Sequence, residues 1–506
     1  MSARQRRVRL VAAVVMGAAG CAPRELGPAV AWYADRHAVR DASARRVNGC
    51  WYLRFNALMV SDLDEAIEAG RREEESQMRE RAELVVRAAA GLAESTAEQE
   101  IDRLPPEARS ELARLAGTET DTAEDVKAVF VQRLRRAEEA LLAEVASLPA
   151  DRLRARLTSI RRSIEPAPDD RGRAMRQVAL AWGAAPAWLG VAAAERKLEE
   201  RREKTVDAAF AQAVAWLPRT NGRSDLPARL APLVLIAEPP RRSYPAQYDR
   251  LGEVYLTGRP GDVSVHVNTS RPVVYAYADE TKIHGRRHVQ LVFAWWYPER
   301  PAMEKDDPAA GHIDGDTLRI TLDAQGRPAI FEVMQSCGCG HLVYVSDSLE
   351  QAARRQFGRP SGDRKWSVQG QSGGRRDLIV MGAIEVPACD PHAITFVEAG
   401  YHSVVRVDCV SGLDVSGLNA IRSELYELVD YDRLERLPLG DGVASMFGPD
   451  GLVHGAGRRE GWLLAPTGIL SAGQPRKRGT QKIRWDEYSF DDPHLLEKAL
   501  RLPDTF

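Results

Sequence analysis

Apolar and polar residues follow two different periods along the chain, and the period changes near residue 250. Within residues 60–217, apolar residues recur every third or fourth position, as they do on one face of an α-helix. Thr122 and Asp125 resemble a capping box at the start of the clearest helix. The apolar stripe of that helix consists of Val126, Phe130, Leu134, Ala137, Leu141, Val145 and Leu148. We therefore predict a helical domain over residues 60–217, assembled from helix hairpins.

Beyond residue 250 the period is two, which is typical of β-strands. The alternation predicts strands at 263–267, 273–278, 288–296, 318–322, 329–334, 378–384 and 403–407. Asp323-Ala324-Gln325-Gly326 lies between two of these strands and predicts a hairpin turn, in which Gly326 takes a positive φ. The fold class that follows is α+β, with a helical N-terminal half and a mainly antiparallel, β-rich C-terminal half.

Two further segments flank the predicted β-rich domain, which covers residues 251–435. Residues 218–250 are rich in proline and arginine, and they predict a linker or an extended wrap. Residues 436–506 form a mixed C-terminal segment. There we predict a strand over 462–464 and a short final helix that opens after Asp491-Asp492-Pro493.

The N-terminus carries the features of an export signal. Four arginines among the first nine residues precede a short apolar run, residues 10–19, which leads into Gly20-Cys21. A run of this length is too short to span about 30 Å of hydrocarbon. The arrangement resembles a bacterial lipoprotein signal peptide, and an ordinary secretory signal is the alternative. The resemblance implies that residues 1–20 are removed and that Cys21 is acylated at the start of a lipidated segment, 21–59.

The same resemblance implies a location. Ala22 follows Cys21, and in the better-known sorting systems a residue other than Asp at this position favours the outer membrane. We therefore expect a lipid-anchored protein of the bacterial cell envelope that faces the periplasm. The membrane, reached through the N-terminal lipid, is the partner that the sequence implies.

A second apolar segment, residues 178–194, contains no charged residue and could cross the membrane. It is short for a span, and Gly183, Pro186 and Gly190 interrupt it. We interpret it as a buried helix that breaks near Pro186.

The net charge of the chain argues against nucleic acid as its partner. Lys and Arg number 70 against 72 Asp and Glu, which gives a net charge of −2. Nucleic-acid-binding domains carry a clear basic excess, so that class is excluded.

Of the 6 cysteines, all but Cys21 are available for disulfides, which an exported protein can form. The odd number left requires at least one unpaired thiol, intermolecular bridge or metal ligand.

One short segment, Cys337-Gly338-Cys339-Gly340-His341, carries the strongest candidate chemistry. In an extended strand alternate side chains share a face, so the two thiols and the imidazole would point the same way. The intervening glycines allow the curvature that a single ion needs. Thiolate and imidazole ligands select zinc or copper(I). The segment therefore predicts a soft-metal site.

A fourth ligand has to come from elsewhere in the chain. His288 begins a predicted strand and is the predicted fourth ligand, while His312-Ile313-Asp314, in the loop that follows, is the other source considered.

Disulfides are the competing interpretation of the same cysteines. Cys337 and Cys339 could bond locally, or either could bond Cys389 or Cys409; the glycines could also mark a simple bulge. Cys389 and Cys409 flank two strand-like segments, and we predict that they form a disulfide with each other. His392 and His402 lie between them and are interpreted as surface or core histidines.

Several segments together resemble an uncharacterised group of proteobacterial lipoproteins with a Cys-Gly-Cys-x-His element. The segments are 50–56, 288–296, 312–315, 337–341 and 490–493. In that group an aromatic residue precedes the histidine, where this chain has Gly340. The group has no established activity, so the resemblance implies a coherent exported protein and no particular reaction.

Two classes of function fit these observations. In the first, the C-terminal half binds a soft metal or a small ligand in the envelope through Cys337, Cys339 and His341. In the second, the same residues leave an open ligand position on the metal, and the protein is a metal-dependent hydrolase or oxidoreductase. The nucleophile-elbow, P-loop and zinc-protease motifs are absent from the sequence. We favour binding over catalysis.

Overall fold

A computed structural model describes most of the chain. The described residues are 43–47, 52–118, 122–164, 210, 212–219, 224–362, 364–370, 378–413, 415, 420–464, 473–483 and 488–506. The predictions for residues 1–20, Cys21, Cys50 and 178–194 lie outside them. The chain divides into two compact units, Met1–Pro168 and Asp169–Phe506, and its fold class is α+β.

The first unit is helical through most of its described part. Its helices are α1 (Ala57–Arg71), α2 (Glu75–Asp102), α3 (Pro106–Ala116), α4 (Ala123–Ser147) and α5 (Ala150–Ser163), and a short antiparallel pair joins β1 (Arg45–Arg46) to β2 (Arg54–Phe55). The predicted cap is confirmed, because the hydroxyl of Thr122 accepts the backbone N–H of Asp125 at 3.2 Å. The predicted apolar stripe of α4 packs into the core of this unit.

The second unit is rich in strands. Its strands are β3 (Ala213–Pro218), β4 (Leu233–Ala237), β5 (Glu253–Arg259), β6 (Asp262–Asn268), β7 (Val273–Ile283), β8 (Arg286–Arg300), β9 (Gly311–Leu322), β10 (Pro328–Gln335), β11 (Leu342–Ser346), β12 (Val380–Ile384), β13 (Pro391–Glu398), β14 (Ser403–Ser411), β15 (Ala420–Asp430), β16 (Leu437–Leu439), β17 (Gly442–Ala444), β18 (Lys482–Ile483) and β19 (Tyr488–Ser489). The helices are α6 (Leu226–Arg229), α7 (Asp347–Phe357), α8 (Arg459–Leu464) and α9 (Leu495–Ala499), with 3₁₀ turns at Ala246–Asp249 and Tyr431–Glu435.

Eleven strands form one mixed sheet in the order β12-β11-β10-β9-β8-β7-β15-β3-β4-β13-β14. The run from β7 to β11 is an antiparallel meander, as the alternation predicts. β15 lies in the middle of the sheet and pairs in parallel with β7 on one side and with β3 on the other. The sheet is therefore mostly antiparallel, and its two halves are joined by a strand from late in the sequence.

The sheet curls so that its β14 edge approaches β10 and β11. The Tyr344 hydroxyl of β11 donates to the Val405 carbonyl of β14 at 3.2 Å. Gln335, the last residue of β10, donates its side-chain N–H to the Tyr401 carbonyl at 2.8 Å, just before β14. A large apolar core fills the space inside the curl, with Trp295 and Phe331 among its fully buried members.

Three local predictions differ from the structure. Residues 213–217, predicted as helix, form most of β3, and residues 233–237, predicted as linker, form β4. Both strands are buried along their whole length, so their sequences are continuous apolar runs without the alternation of a one-sided strand. Residues 462–464, predicted as a strand, end helix α8. The predicted hairpin turn is confirmed, and Gly326 has a φ of 76°.

Candidate functional site

The Cys337–His341 segment forms the connection between β10 and β11 and is not an extended strand. Two backbone hydrogen bonds close it: the Gly338 N–H donates to the Gln335 carbonyl at 2.7 Å, and the Gln335 N–H donates to the Cys339 carbonyl at 3.0 Å. Gly338 has a φ of 89°, and a Cβ atom there would lie 1.4 Å from the Lys482 carbonyl oxygen. Only glycine fits this position.

This turn brings the two thiols together. The Cys339 N–H donates to the Cys337 sulfur at 3.4 Å, and the two side chains are also in hydrogen-bond contact. That contact, together with burial, raises the pKa of the Cys339 thiol well above its usual range. Cys337 is buried and Cys339 is half-buried. The turn therefore holds a dithiol whose second member is protonated at neutral pH.

His341 leaves the turn in another direction. Its Nε2 lies 3.1 Å from Oε1 of Glu332, which also receives a two-pronged hydrogen bond from Arg319 at 2.6 and 2.7 Å. Burial would raise the pKa of Glu332, but the Arg319 charge and the His341 hydrogen bond lower it to about 2. Glu332 and Gln335 are three residues apart on β10, so they lie on opposite faces of the sheet. His341 is thus held on the face opposite Gln335.

His288 is not near the cysteine turn. Its Nδ1 donates to the Leu322 carbonyl at 3.1 Å, and its ring stacks on Phe506. Leu322 is the last residue of β9, whereas Gln335, just before the cysteine turn, pairs with Asp316 near the middle of that strand. Asp316 and Leu322 are six residues apart along the strand, which is about 20 Å. The structure therefore brings together two of the four predicted ligands, Cys337 and Cys339.

A second polar cluster lies beside the cysteine turn, and we call it the His402 cluster: Asp249, Tyr297, Asp314, Asp316 and His402. His402 is fully buried; its Nδ1 lies 2.9 Å from Asp314 Oδ2 and its Nε2 lies 3.4 Å from Asp249 Oδ1. The Tyr297 ring stacks on the imidazole with a centroid separation of 4.0 Å. The Tyr297 hydroxyl donates to Asp316 Oδ2 at 3.1 Å.

The His402 cluster holds one imidazolium between two carboxylates. Burial alone would lower the pKa of His402, but its contacts with the Asp249 and Asp314 carboxylates raise it to about 9. Burial would likewise raise the pKa of Asp314, whereas the His402 hydrogen bond and charge and the Arg458 charge lower it. His402 is therefore a buried cation at neutral pH.

Asp316 links the His402 cluster to the cysteine turn. Burial raises its pKa well above the usual range, and the charges of Asp314 and Cys337 add to the effect. Its Oδ1 atom is buried and has no hydrogen-bond partner among the described residues. Asp316 is thus a carboxyl group whose charged form burial disfavours, and one of its oxygens is unused within the described residues.

The Arg458 side chain stabilises a strained backbone segment of β9 beside the His402 cluster. Ile313 has a φ of 52°, which is rare for a β-branched residue. The Arg458 guanidinium donates to the Ile313 carbonyl and, at 2.6 Å, to the His312 carbonyl. It also interacts electrostatically with Asp314 and Cys337. Arg458 thus fixes the backbone of β9 and supplies positive charge near the thiols.

Cys389 and Cys409 are free thiols in the structure. In the β13–β14 register, Ala393 is opposite Cys409, four residues along the chain from Cys389. The register does not support the predicted disulfide, which stays a prediction.

Within the part of the chain that the structure describes, no group of three or more His, Cys, Asp or Glu side chains is arranged to hold a metal ion, and no helix is long and apolar enough to cross a membrane. No protein-family model, no curated protein and no solved structure matches the chain.

Sequence reasoning missed the His402 cluster. Asp314 lies in β9, which begins seven residues before the predicted strand, and not in a loop. Asp314 and Asp316 alternate on one face of that strand, and two carboxylates on the inward face of an otherwise apolar strand are the signal that could have revealed them. His402 gives no such signal, because its partners come from distant parts of the sequence.

Proposed function

We propose that this protein binds one soft metal ion, copper(I) or zinc, through the thiols of Cys337 and Cys339. The observation that carries the proposal is the contact between the two thiols at a turn that only Gly338 can form. Thiolates are the ligands that soft ions prefer in proteins. A backbone fixed before binding leaves little ordering cost for the ion to offset.

Of the two ions, copper(I) fits the turn better. Structural zinc sites almost always use four protein ligands, whereas copper(I) accepts two thiolates in a nearly linear arrangement. His341 is engaged by Glu332 and His288 lies at the Leu322 end of β9, so neither completes a zinc tetrahedron without moving. We therefore propose copper(I) as the preferred ion.

The charges around the turn support an anionic dithiolate. The Arg458 guanidinium is buried and interacts with Cys337, so it offsets part of the charge that the thiolates acquire. Burial raises the pKa of the Asp316 carboxyl beside them well above its usual range, which disfavours a further negative charge at the turn. Because Cys339 has a raised pKa, binding has to release its proton, and affinity falls as pH falls.

We place binding ahead of the metal-dependent enzyme as the function. A catalytic metal needs an open ligand position that faces a substrate. The turn brings two protein ligands together while His341 and His288 are engaged elsewhere, whereas catalytic zinc sites use three protein ligands.

We also propose that the protein is lipid-anchored through Cys21 in the bacterial envelope and faces the periplasm. The basic, apolar and cysteine-terminated order of residues 1–21 supports this location. In this proposal the N-terminal half is helical, and the mainly antiparallel, β-rich C-terminal half carries the metal site.

The test is a metal titration of the reduced, apo protein in a soluble form with Cys21→Ser. Copper(I) is added against a chromophoric chelator, and zinc is measured in parallel by elemental analysis. The site variant is Cys337→Ser with Cys339→Ser, and the matched control is Cys389→Ser with Cys409→Ser. We expect about one copper(I) per chain in the parent and in the control, and none in the site variant.

Three results would overturn the proposal. The first is an equal copper content in all three proteins, and the second is weak binding in the parent. The third concerns the protein purified without reductant. If that protein contains a Cys337–Cys339 disulfide that a reducing glutathione buffer does not open, the turn holds a structural disulfide and not a metal site. Thiol counting before and after denaturation detects it.

A further inference from the structure

A separate cavity of about 450 Å³ lies beside the hairpin of β5 and β6. Its described lining consists of Gln247, Tyr255, Val267, Asn268, Thr269 and Pro298. None of these residues carries a charge. A volume of this size is in the range of about 300–1,000 Å³ that small-ligand sites occupy. The lining favours a neutral ligand over an anion or a cation.

Tyr255 is an unusual feature of this cavity. It is 44% exposed, and among the strongly exposed large apolar side chains that the structure describes it is the aromatic one. Tyr255 pairs with His266 across the hairpin, and the two rings stack with centroids 5.2 Å apart. The tyrosine ring thus stacks with His266 and also lines the cavity.

Contacts with neighbouring side chains fix the His266 ring, on which Tyr255 stacks. Nε2 of His266 is 2.8 Å from the Thr257 hydroxyl, and its ring meets His312 edge-on. The Nε2 atom of His312 in turn donates a hydrogen bond to the Val265 carbonyl at 2.5 Å. Burial and the charge of His312 lower the pKa of His266, so the ring behind Tyr255 is neutral at neutral pH. Tyr255 is thus a fixed aromatic platform.

Uncommitted polar groups surround the platform. Asn268 Oδ1 accepts from the Ser270 backbone at 3.1 Å and from its hydroxyl at 2.7 Å, and this leaves both amide N–H groups of Asn268 unused within the described residues. The side chains of Gln247 and Thr269 also make no hydrogen bond there. Amides and hydroxyls both donate and accept, so they match a ligand that carries many hydroxyls.

We propose that this cavity binds a neutral saccharide, with one sugar ring stacked on Tyr255 and its hydroxyls hydrogen-bonded to Gln247 and Asn268. A pyranose ring combines an apolar C–H face with hydroxyl groups around its edge. The Tyr255 ring can stack on the apolar face, and the nearby amide and hydroxyl side chains can hydrogen-bond to the sugar hydroxyls. The proposal rests on this cavity alone and is independent of the metal site.

Calorimetric titration of the soluble full chain tests the proposal. The probes are a tetramer of β-1,4-linked N-acetylglucosamine and a tetramer of α-1,4-linked glucose, which distinguish an amino-sugar strand from a glucan. We expect at least one probe to bind with a Kd below about 1 mM. Tyr255→Ala should weaken binding at least tenfold, while Tyr255→Phe, which keeps the ring, should bind within about threefold of the parent.

Two controls make the outcome specific. Leu425→Ala removes another strongly exposed apolar side chain, from β15, and should leave binding unchanged. The variant with Cys337→Ser and Cys339→Ser should also bind the saccharide normally, so failure of the metal proposal is distinguishable from failure of this one. Absence of binding by both probes, or equal binding by the Tyr255→Ala variant, would overturn the proposal.

Discussion

Replacing His402 by glutamine should destabilise the protein in a pH-dependent way. The imidazolium of His402 lies between the carboxylates of Asp249 and Asp314 and is fully buried. Glutamine keeps much of the volume and the capacity to hydrogen-bond, but it removes the positive charge. The two carboxylates then lose the cation between them and keep only Arg242, 3.0 Å from Asp249, and Arg458, 3.8 Å from Asp314. Removing one partner of a buried ion pair costs about 3–5 kcal/mol.

The pH dependence follows from the pKa of His402, which rises from 6.5 to about 9 on folding. A raised pKa means that the folded state binds the proton more tightly, so the stabilisation is fully present below about pH 6.5 and is lost as pH rises through 9. The shift corresponds to about 3 kcal/mol. The difference in unfolding free energy between the parent and His402→Gln should therefore shrink by about that amount between pH 6 and pH 10.

Urea unfolding followed by tryptophan fluorescence at pH 6, 8 and 10 measures this difference. Phe331→Leu is the control, because it alters a fully buried residue of the same core without changing a titratable group. Its cost should be about 1–2 kcal/mol and should not change with pH. If the gap between the parent and His402→Gln stays constant or widens toward pH 10, His402 is not a buried cation and the reasoning fails.

Three further predictions concern other parts of the chain. Gly338→Ala places a methyl group on the Lys482 carbonyl, so we expect soluble expression to drop sharply and any copper(I) binding to be lost in the chelator titration; normal folding and binding would contradict this account of the turn. Glu332→Gln leaves Arg319 buried without its partner, and we expect a loss of about 3–5 kcal/mol in urea unfolding at pH 7. That loss should fade only as pH falls from about 4.5 toward 2, because the pKa of Glu332 is about 2; a loss already absent at pH 5 would refute it. Cys21→Ser should move the protein from the membrane fraction to the soluble periplasmic fraction on cell fractionation, and continued membrane association would point to residues 178–194 instead.

The two periods in the sequence predicted the elements in which polar and apolar residues alternate. Helix α4 has a polar face, and strands β9 and β10 carry buried polar residues such as Arg319 and Glu332 between apolar ones, so an apolar period is visible although both strands are buried along most of their length. β3 and β4 are equally buried but consist of continuous apolar runs without a period, which is why they were predicted as helix and linker.

The candidate site, like the fold, could be predicted from the sequence only in part. Cys337 and Cys339 are two residues apart, so any turn between them keeps their thiols close, and the sequence was enough to pair them. The position of His341 depended on whether the segment is extended or turned, and the turn directed its ring to Glu332. The meeting of Asp249, Asp314 and His402 depends on how the sheet curls, and local pattern contains no information about that.

The central position of β15 has a consequence for how this chain reaches its folded form. Its two neighbours, β3 and β7, are synthesised long before it, and neither has its partner on that side until residues 420–430 are available. Contacts between such distant parts of a sequence slow folding, because a large loop has to close before they form. In the envelope location that we propose, where the chain would be exported unfolded, this delay would be useful, because the sheet cannot close until almost all of the chain has been made. The cost is a pair of exposed strand edges during that interval, which a chaperone would need to cover.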